Sequence, residues 1–165
     1  MSRGIFYILI LLFSFFFLSG CDHTELSEPQ VAVIKVVDAF YAQPPKKDGP
    51  DVEERYKIIA SYMDVEEQKE GVMNYLKESE KSGMTGAYYI AENPEKSQTA
   101  TSNFQLVKLM KSSFSRSAES EFLDQDYVVL GVSLQKVDGE WKILEMDQIE
   151  EPKEEISWIK VKPYD

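Results

Sequence analysis

The apolar residues of this chain change rhythm twice. From Ile5 to Leu18 they form a dense run broken only by Ser14; from about residue 28 to 83 they recur at helical spacing; from residue 84 onward many alternate as strands do. The helical half opens at Ser27-Glu28-Pro29-Gln30. Ser27 can cap a helix, Gln30 can cap back three residues later, and Pro29 is tolerated in a first turn. Val33, Val37, Phe40 and Tyr41 then share one face, and Pro44-Pro45 ends the helix in an exposed loop running to Pro50. Asp51 with Glu54 repeats the capping signature ahead of Val52, Tyr56, Ile59 and Met63. Asp64 with Glu67 predicts a third helix, with Val72, Tyr75 and Leu76 as its apolar side. Gly71 weakens that helix, and Lys81-Ser82-Gly83 closes it.

Strand chemistry takes over after Met84. Ala87-Tyr88-Tyr89-Ile90 predicts a strand stopped by Asn93-Pro94, and Thr99–Thr101 and Phe104–Met110 are rich in β-formers. Phe104–Phe114 also fits helical spacing through Leu106, Leu109 and Met110; its neighbours favour a strand. The serine-rich stretch Ser112–Ser120 predicts a solvated hairpin end. Tyr127–Val137 is the strongest strand pattern in the chain. Asp138-Gly139 supplies a tight turn, and Glu140–Ile149 returns with Trp141, Ile143 and Leu144 as core candidates. Ile156–Val161 alternates, as a short last strand or a packed tail would.

The first apolar run changes the picture most. Arg3 precedes it, and Leu18-Ser19-Gly20-Cys21 closes it with the only cysteine of the chain. A charged start, a short apolar core and small residues before a cut site describe a secretory signal, too short for a span of about 20 residues. The closing four residues resemble the bacterial lipobox. That resemblance implies a diacylglycerol thioether on Cys21, cleavage before it, and a lipid-anchored protein on the outer face of the cytoplasmic membrane. In a Gram-negative envelope Asp22 resembles a signal for retention in the inner membrane. The expected organisation is a signal peptide over 1–20, a lipidated tether over 21–27, a domain over 28–150 and a C-terminal extension over 151–165 packed on the domain.

Loss of residues 1–20 leaves 145 residues and, with Arg3 gone, takes the formal charge from −11 to −12. One domain of that size buries a real core. Such acidity argues against nucleic acid, which needs clustered Lys and Arg, and against a body lying flat on anionic lipid. An acylated Cys21 leaves no thiol for a disulfide.

Helices followed by antiparallel strands predict an α+β domain, helices packed on one face of a sheet. Val132-Ser133-Leu134-Gln135-Lys136-Val137-Asp138-Gly139-Glu140-Trp141-Lys142-Ile143 resembles the last hairpin of the nuclear transport factor two-like superfamily, and the opening helix with Phe40-Tyr41 resembles that group's first helix. The cystatin-like fold is the competitor. The resemblance implies a strongly curved, cone-like sheet with a cavity at its open end, and no particular chemistry.

Most catalytic routes lack their residues. His23, the sole histidine, sits in the tether, where no scaffold orients an imidazole. Cysteine catalysis and His/Cys zinc sites fail for the same want of groups. No P-loop or Gly-x-Gly-x-x-Gly is present, and Asp124-Gln125-Asp126 lacks the glycine and distal glutamate of a calcium loop. No catalytic, cofactor or metal residue is therefore assigned; Cys21, for lipidation, is the one site. What survives is carboxylate or tyrosine chemistry, implied by the superfamily, with Asp38, Tyr41, Tyr62, Tyr88, Tyr89, Asp126 and Tyr127 as candidates. Asp38 reads as the polar side of the first helix. The expected function is a non-catalytic interaction domain binding another envelope protein or a second copy of itself, without cofactor. The alternatives are a small-ligand binder whose cone is lined by Phe40, Tyr41, Tyr88 and Trp141, and a carboxylate-based enzyme.

Overall fold

The computed structural model describes residues 26–42, 44–45, 47–82, 88–92, 99–110 and 127–164. Three helices come first: α1 (Glu28–Tyr41), α2 (Val52–Tyr62) and, after a 3-10 turn at Glu66–Gln68, α3 (Lys69–Ser82). Five strands follow: β1 (Tyr88–Ala91), β2 (Ser102–Met110), β3 (Tyr127–Val137), β4 (Glu140–Ile149) and β5 (Trp158–Val161). They pair antiparallel in one sheet, ordered β4-β3-β2-β1-β5. This is the α+β architecture that the patterning predicts. Phe104–Met110 is strand, as its neighbours favoured, and Trp158–Val161 is an edge strand on β1.

Local chemistry accounts for the element ends. Gln30 Oε1 accepts from the Ser27 N–H at 2.8 Å, while its Nε2 donates to the Ala91 carbonyl at 2.8 Å. One side chain thus starts α1 and fixes it to the end of β1. Asp51 and Glu54 form a complete capping box on α2, with bonds of 2.9 and 3.2 Å. Asp138 (φ 53°) and Gly139 (φ 89°) both adopt positive φ between the paired residues Val137 and Glu140, the two-residue turn that matches strand twist.

The core lies on both sides of α1. Ala32, Val33, Val36 and Val37 pack against the sheet residues Tyr88, Ile90, Val107, Leu109, Val132 and Leu134. Toward the other helices, Ala39 joins Tyr56, Ile59, Val65 and Leu76. A helix between two layers needs an apolar face wider than the stripe Val33-Val37-Phe40-Tyr41, and α1 has it. A smaller cluster on the outer sheet face gathers Ala91, Leu106 and Val129 under Phe104, Ile156 and Trp158. There Gly131 sits beneath the Phe104 ring, where a Cβ would come within 2.9 Å of Cζ.

Several expectations need correction. Asp38 is not on a polar side: it is 6% exposed, because α1 is covered on both faces. Leu144 is 62% exposed rather than core. Ser133 pairs with Glu145 and Leu134 with Ile143, so Leu144 is the extra residue of a β-bulge that turns it outward. The third helical segment begins beside Val65 rather than at Asp64, and Tyr75 on α3 is 44% exposed. Cys21, Ser112–Ser120 and Asp126 lie outside the described residues.

Candidate functional site

Three places hold the polar groups that the sequence singled out, and α1 organises two of them. At its C-terminal half, the Asp38 carboxylate accepts from the Tyr88 hydroxyl at 2.6 Å through Oδ1 and from the Tyr164 backbone N–H at 2.8 Å through Oδ2. The Tyr164 hydroxyl returns to the Asp38 carbonyl at 2.9 Å. Tyr164 holds φ at 58°, a conformation that turns the chain end back onto the helix. Burial, then the adjacent Asp38 charge, pushes the Tyr88 hydroxyl far above the usual phenol range. The buried carboxylate takes donors from β1 and from the segment after β5, which fastens Tyr164 to the core.

Just beyond, the α1 C-terminus is closed by a charge that the sequence did not advertise. Arg55 of α2 is fully buried, and its Nε donates to the Ala39 carbonyl at 2.7 Å. A guanidinium there satisfies late helix carbonyls and opposes the negative end of the helix dipole. Phe40, Tyr41 and Tyr75 stack around this end, with ring centres 5.7 to 6.4 Å apart. Burial raises the Tyr41 phenol well above its ordinary range.

A second polar cluster lies on the outer sheet face. The Lys108 ammonium stands 4.5 Å from the Tyr127 ring centre and 4.6 Å from that of Trp158. It also pairs with Glu151, which accepts from the Tyr127 hydroxyl. Those two donors hold the Glu151 carboxyl below its usual range. Tyr89, in register with Lys108 and Lys160, belongs to this same outer face. The cluster clamps the segment after β4 onto the sheet, and β5 continues that attachment along β1.

The N-terminal end of α1 is different. There a cleft of about 420 Å³ opens between the start of α1, the end of α2 and the β3–β4 turn. Leu26, Val31, Tyr62 and Trp141 give it apolar walls; Glu28 and Glu140 stand at its lips. Trp141 Nε1 donates to Glu28 Oε2 at 3.3 Å, and Lys136 Nζ to the same oxygen at 3.2 Å while lying 5.6 Å from the Trp141 ring centre. Lys142 bridges Glu140, at 2.8 Å, to the Ser61 carbonyl at the end of α2, at 2.7 Å. The facing lysines lower both carboxyls from their ordinary values. Three elements are thereby held around an open space.

Of the four side chains expected to line a cavity, Trp141 alone reaches this cleft; Phe40, Tyr41 and Tyr88 belong to the closed end. Tyr62 is the one tyrosine candidate on its wall. Among the described residues, no three His, Cys, Asp or Glu side chains converge so as to hold a metal ion, and no helix is long and apolar enough to cross a membrane. The class so defined is an α+β domain with a closed and an open end to its central helix. No protein-family model, curated protein or solved structure matches this chain.

Proposed function

We propose that the mature protein is a lipid-anchored, extracytoplasmic interaction domain that binds another envelope protein through the cleft at the start of α1, without catalysis or a cofactor. One observation carries the reading: the open, mixed apolar and acidic surface lies at the end of the helix that emerges from the tether, with Leu26 in its wall. The described acid and phenol candidates with the strongest environments support it from the other side. Asp38 and Tyr88 are spent on each other and on Tyr164, and Tyr127 is spent on Glu151. The lipobox supplies the anchor at Cys21. The nuclear transport factor two-like resemblance of the β3–β4 hairpin agrees with a docking role, since that superfold serves as adaptor and enzyme alike.

A small-ligand reading has one observation in its favour, the cleft volume of about 420 Å³, which falls within the range of small-molecule sites. Its lips are wide and charged, which suits a side chain presented by a protein better than an enclosed ligand.

Two measurements test the proposal. Cys21→Ala should abolish acyl-chain labelling and move the protein from the membrane to the soluble fraction. Chemical crosslinking followed by affinity purification of the anchored chain should recover a specific protein that Val31→Glu loses. Unchanged fractionation of the Cys21 variant would remove the anchor, and equal recovery from both chains would remove the cleft.

A further inference from the structure

The tether and the cleft are covalently close. Four residues lie between Cys21 and Leu26, so five Cα–Cα steps of at most about 3.6 Å each put Leu26 in the cleft wall within about 18 Å of the acylated cysteine. Whatever occupies the cleft must reach that depth beside the bilayer.

The cleft also states the charge of its occupant. Its lining is mixed: Leu26, Val31, Tyr62 and Trp141 are the apolar part, Glu28, Ser61 and Glu140 the polar part, and Val31 is 39% exposed. The side chains of Glu28 and Glu140 remain 76% and 75% exposed although each meets a lysine of the β3–β4 hairpin. A carboxylate has room for several donors, so both lips can take a further cation. Lys136, set between Glu28 and the Trp141 ring, demonstrates the fit of an ammonium to this surface. The net charge of −12 on residues 21–165 draws basic partners and repels both anionic headgroups and a second copy.

We infer that the cleft receives the external juxtamembrane segment of an integral membrane protein, a stretch combining Lys or Arg with an aliphatic or aromatic side chain. The inference rests on the interaction reading above and narrows its partner. Basic residues concentrate on the cytoplasmic side of membrane spans, so an external basic flank is a selective feature to recognise.

The test places a photoreactive phenylalanine analogue at Val31 of the full-length chain in its native cells, and identifies the adduct peptide by mass spectrometry. Adducts should fall on one integral membrane protein, in a Lys- or Arg-bearing stretch within about 15 residues of a span. Glu28→Lys combined with Glu140→Lys should cut adduct yield about tenfold, the loss expected from some 1.4 kcal/mol of charge attraction. The double Gln variant, which keeps side-chain shape, should lower it less. Protease resistance confirms that each variant is folded. An adduct on a soluble envelope protein, or on a second copy, would overturn the juxtamembrane assignment while leaving the interaction reading in place. So would a yield indifferent to charge reversal. Adducts on lipid alone, or none from a folded and membrane-located chain, would end both.

Discussion

The two ends of α1 are built from similar materials and do opposite things. Each has a carboxylate, an aromatic hydroxyl or indole donor, and a basic group nearby. At the C-terminal end Asp38 is sealed between Tyr88 and Tyr164, and the backbone beyond it is closed by Arg55. At the N-terminal end Glu28 meets Trp141 and Lys136 at longer distances, and the space between α1, α2 and the hairpin stays open. The difference lies in solvent. A buried carboxylate must be saturated with donors and so becomes a fixed piece of structure, whereas an exposed one keeps acceptor capacity for a partner. A strong polar constellation in a core therefore argues for stability as readily as for chemistry.

The comparison breaks most readily at Asp38. Asp38→Ala leaves a phenol and a backbone N–H in the core without their acceptor, and should cost on the order of 3 kcal/mol in chemical denaturation. Tyr88→Phe removes one of the donors, and about 1–2 kcal/mol is expected. Tyr88 also gives the closed end an alkaline limit. Its folded pKa is raised, so its contribution is complete below the ordinary phenol pKa of about 10 and is lost as pH climbs above that value. Unfolding monitored against pH should begin there in the parent chain, and Tyr88→Phe should flatten the decline.

At the open end the expected ranking inverts. Val31→Glu should shift stability by no more than about 0.5 kcal/mol, as surface changes do, while abolishing partner recovery. Equal destabilisation at Val31 and Tyr88 would erase the distinction between the two ends. The smallest effect belongs to the outer-face clamp. The Glu151 carboxyl is depressed by Lys108 and Tyr127, so its contribution holds above the normal carboxylate pKa of about 4.3 and fades as pH falls below it. Amide exchange in residues 150–158 should quicken in acid before exchange at Val132 or Val107 does.

Much of the fold was legible because local signals and burial agree. The Asp51/Glu54 box, the Asp138-Gly139 turn and the alternation of Tyr127–Val137 each act within a few residues, and each produced its element. Asp38 was misread because helical spacing shows which residues share a face, not how many faces are covered. Leu144 was misread because a bulge shifts register by one residue and leaves no mark in alternation. The cleft was the least legible part. Trp141 was expected to line a cavity and Tyr62 was a candidate for tyrosine chemistry, but Glu28 and Trp141 are 113 positions apart, and only the sheet brings them together. The apolar spacing Val52-Tyr56-Ile59-Met63 carries no signal for Arg55, whose burial follows from the late carbonyls of α1 that it serves. Tyr164 and Glu151 belong to a tail whose strand depends on pairing with β1, a long-range event.

The most direct measurement compares photocrosslinking from the two ends of α1 in living cells, with the reactive residue at Val31 in one full-length chain and at Tyr75 in another. Both positions are solvent-exposed, 39% and 44%, and Tyr75 packs edge-on to Phe40 and Tyr41 at the closed end. Protein adducts from Val31 with none above background from Tyr75 are the predicted result. Adducts from Tyr75 with none from Val31 would contradict the account and move the working surface to the opposite end of the helix.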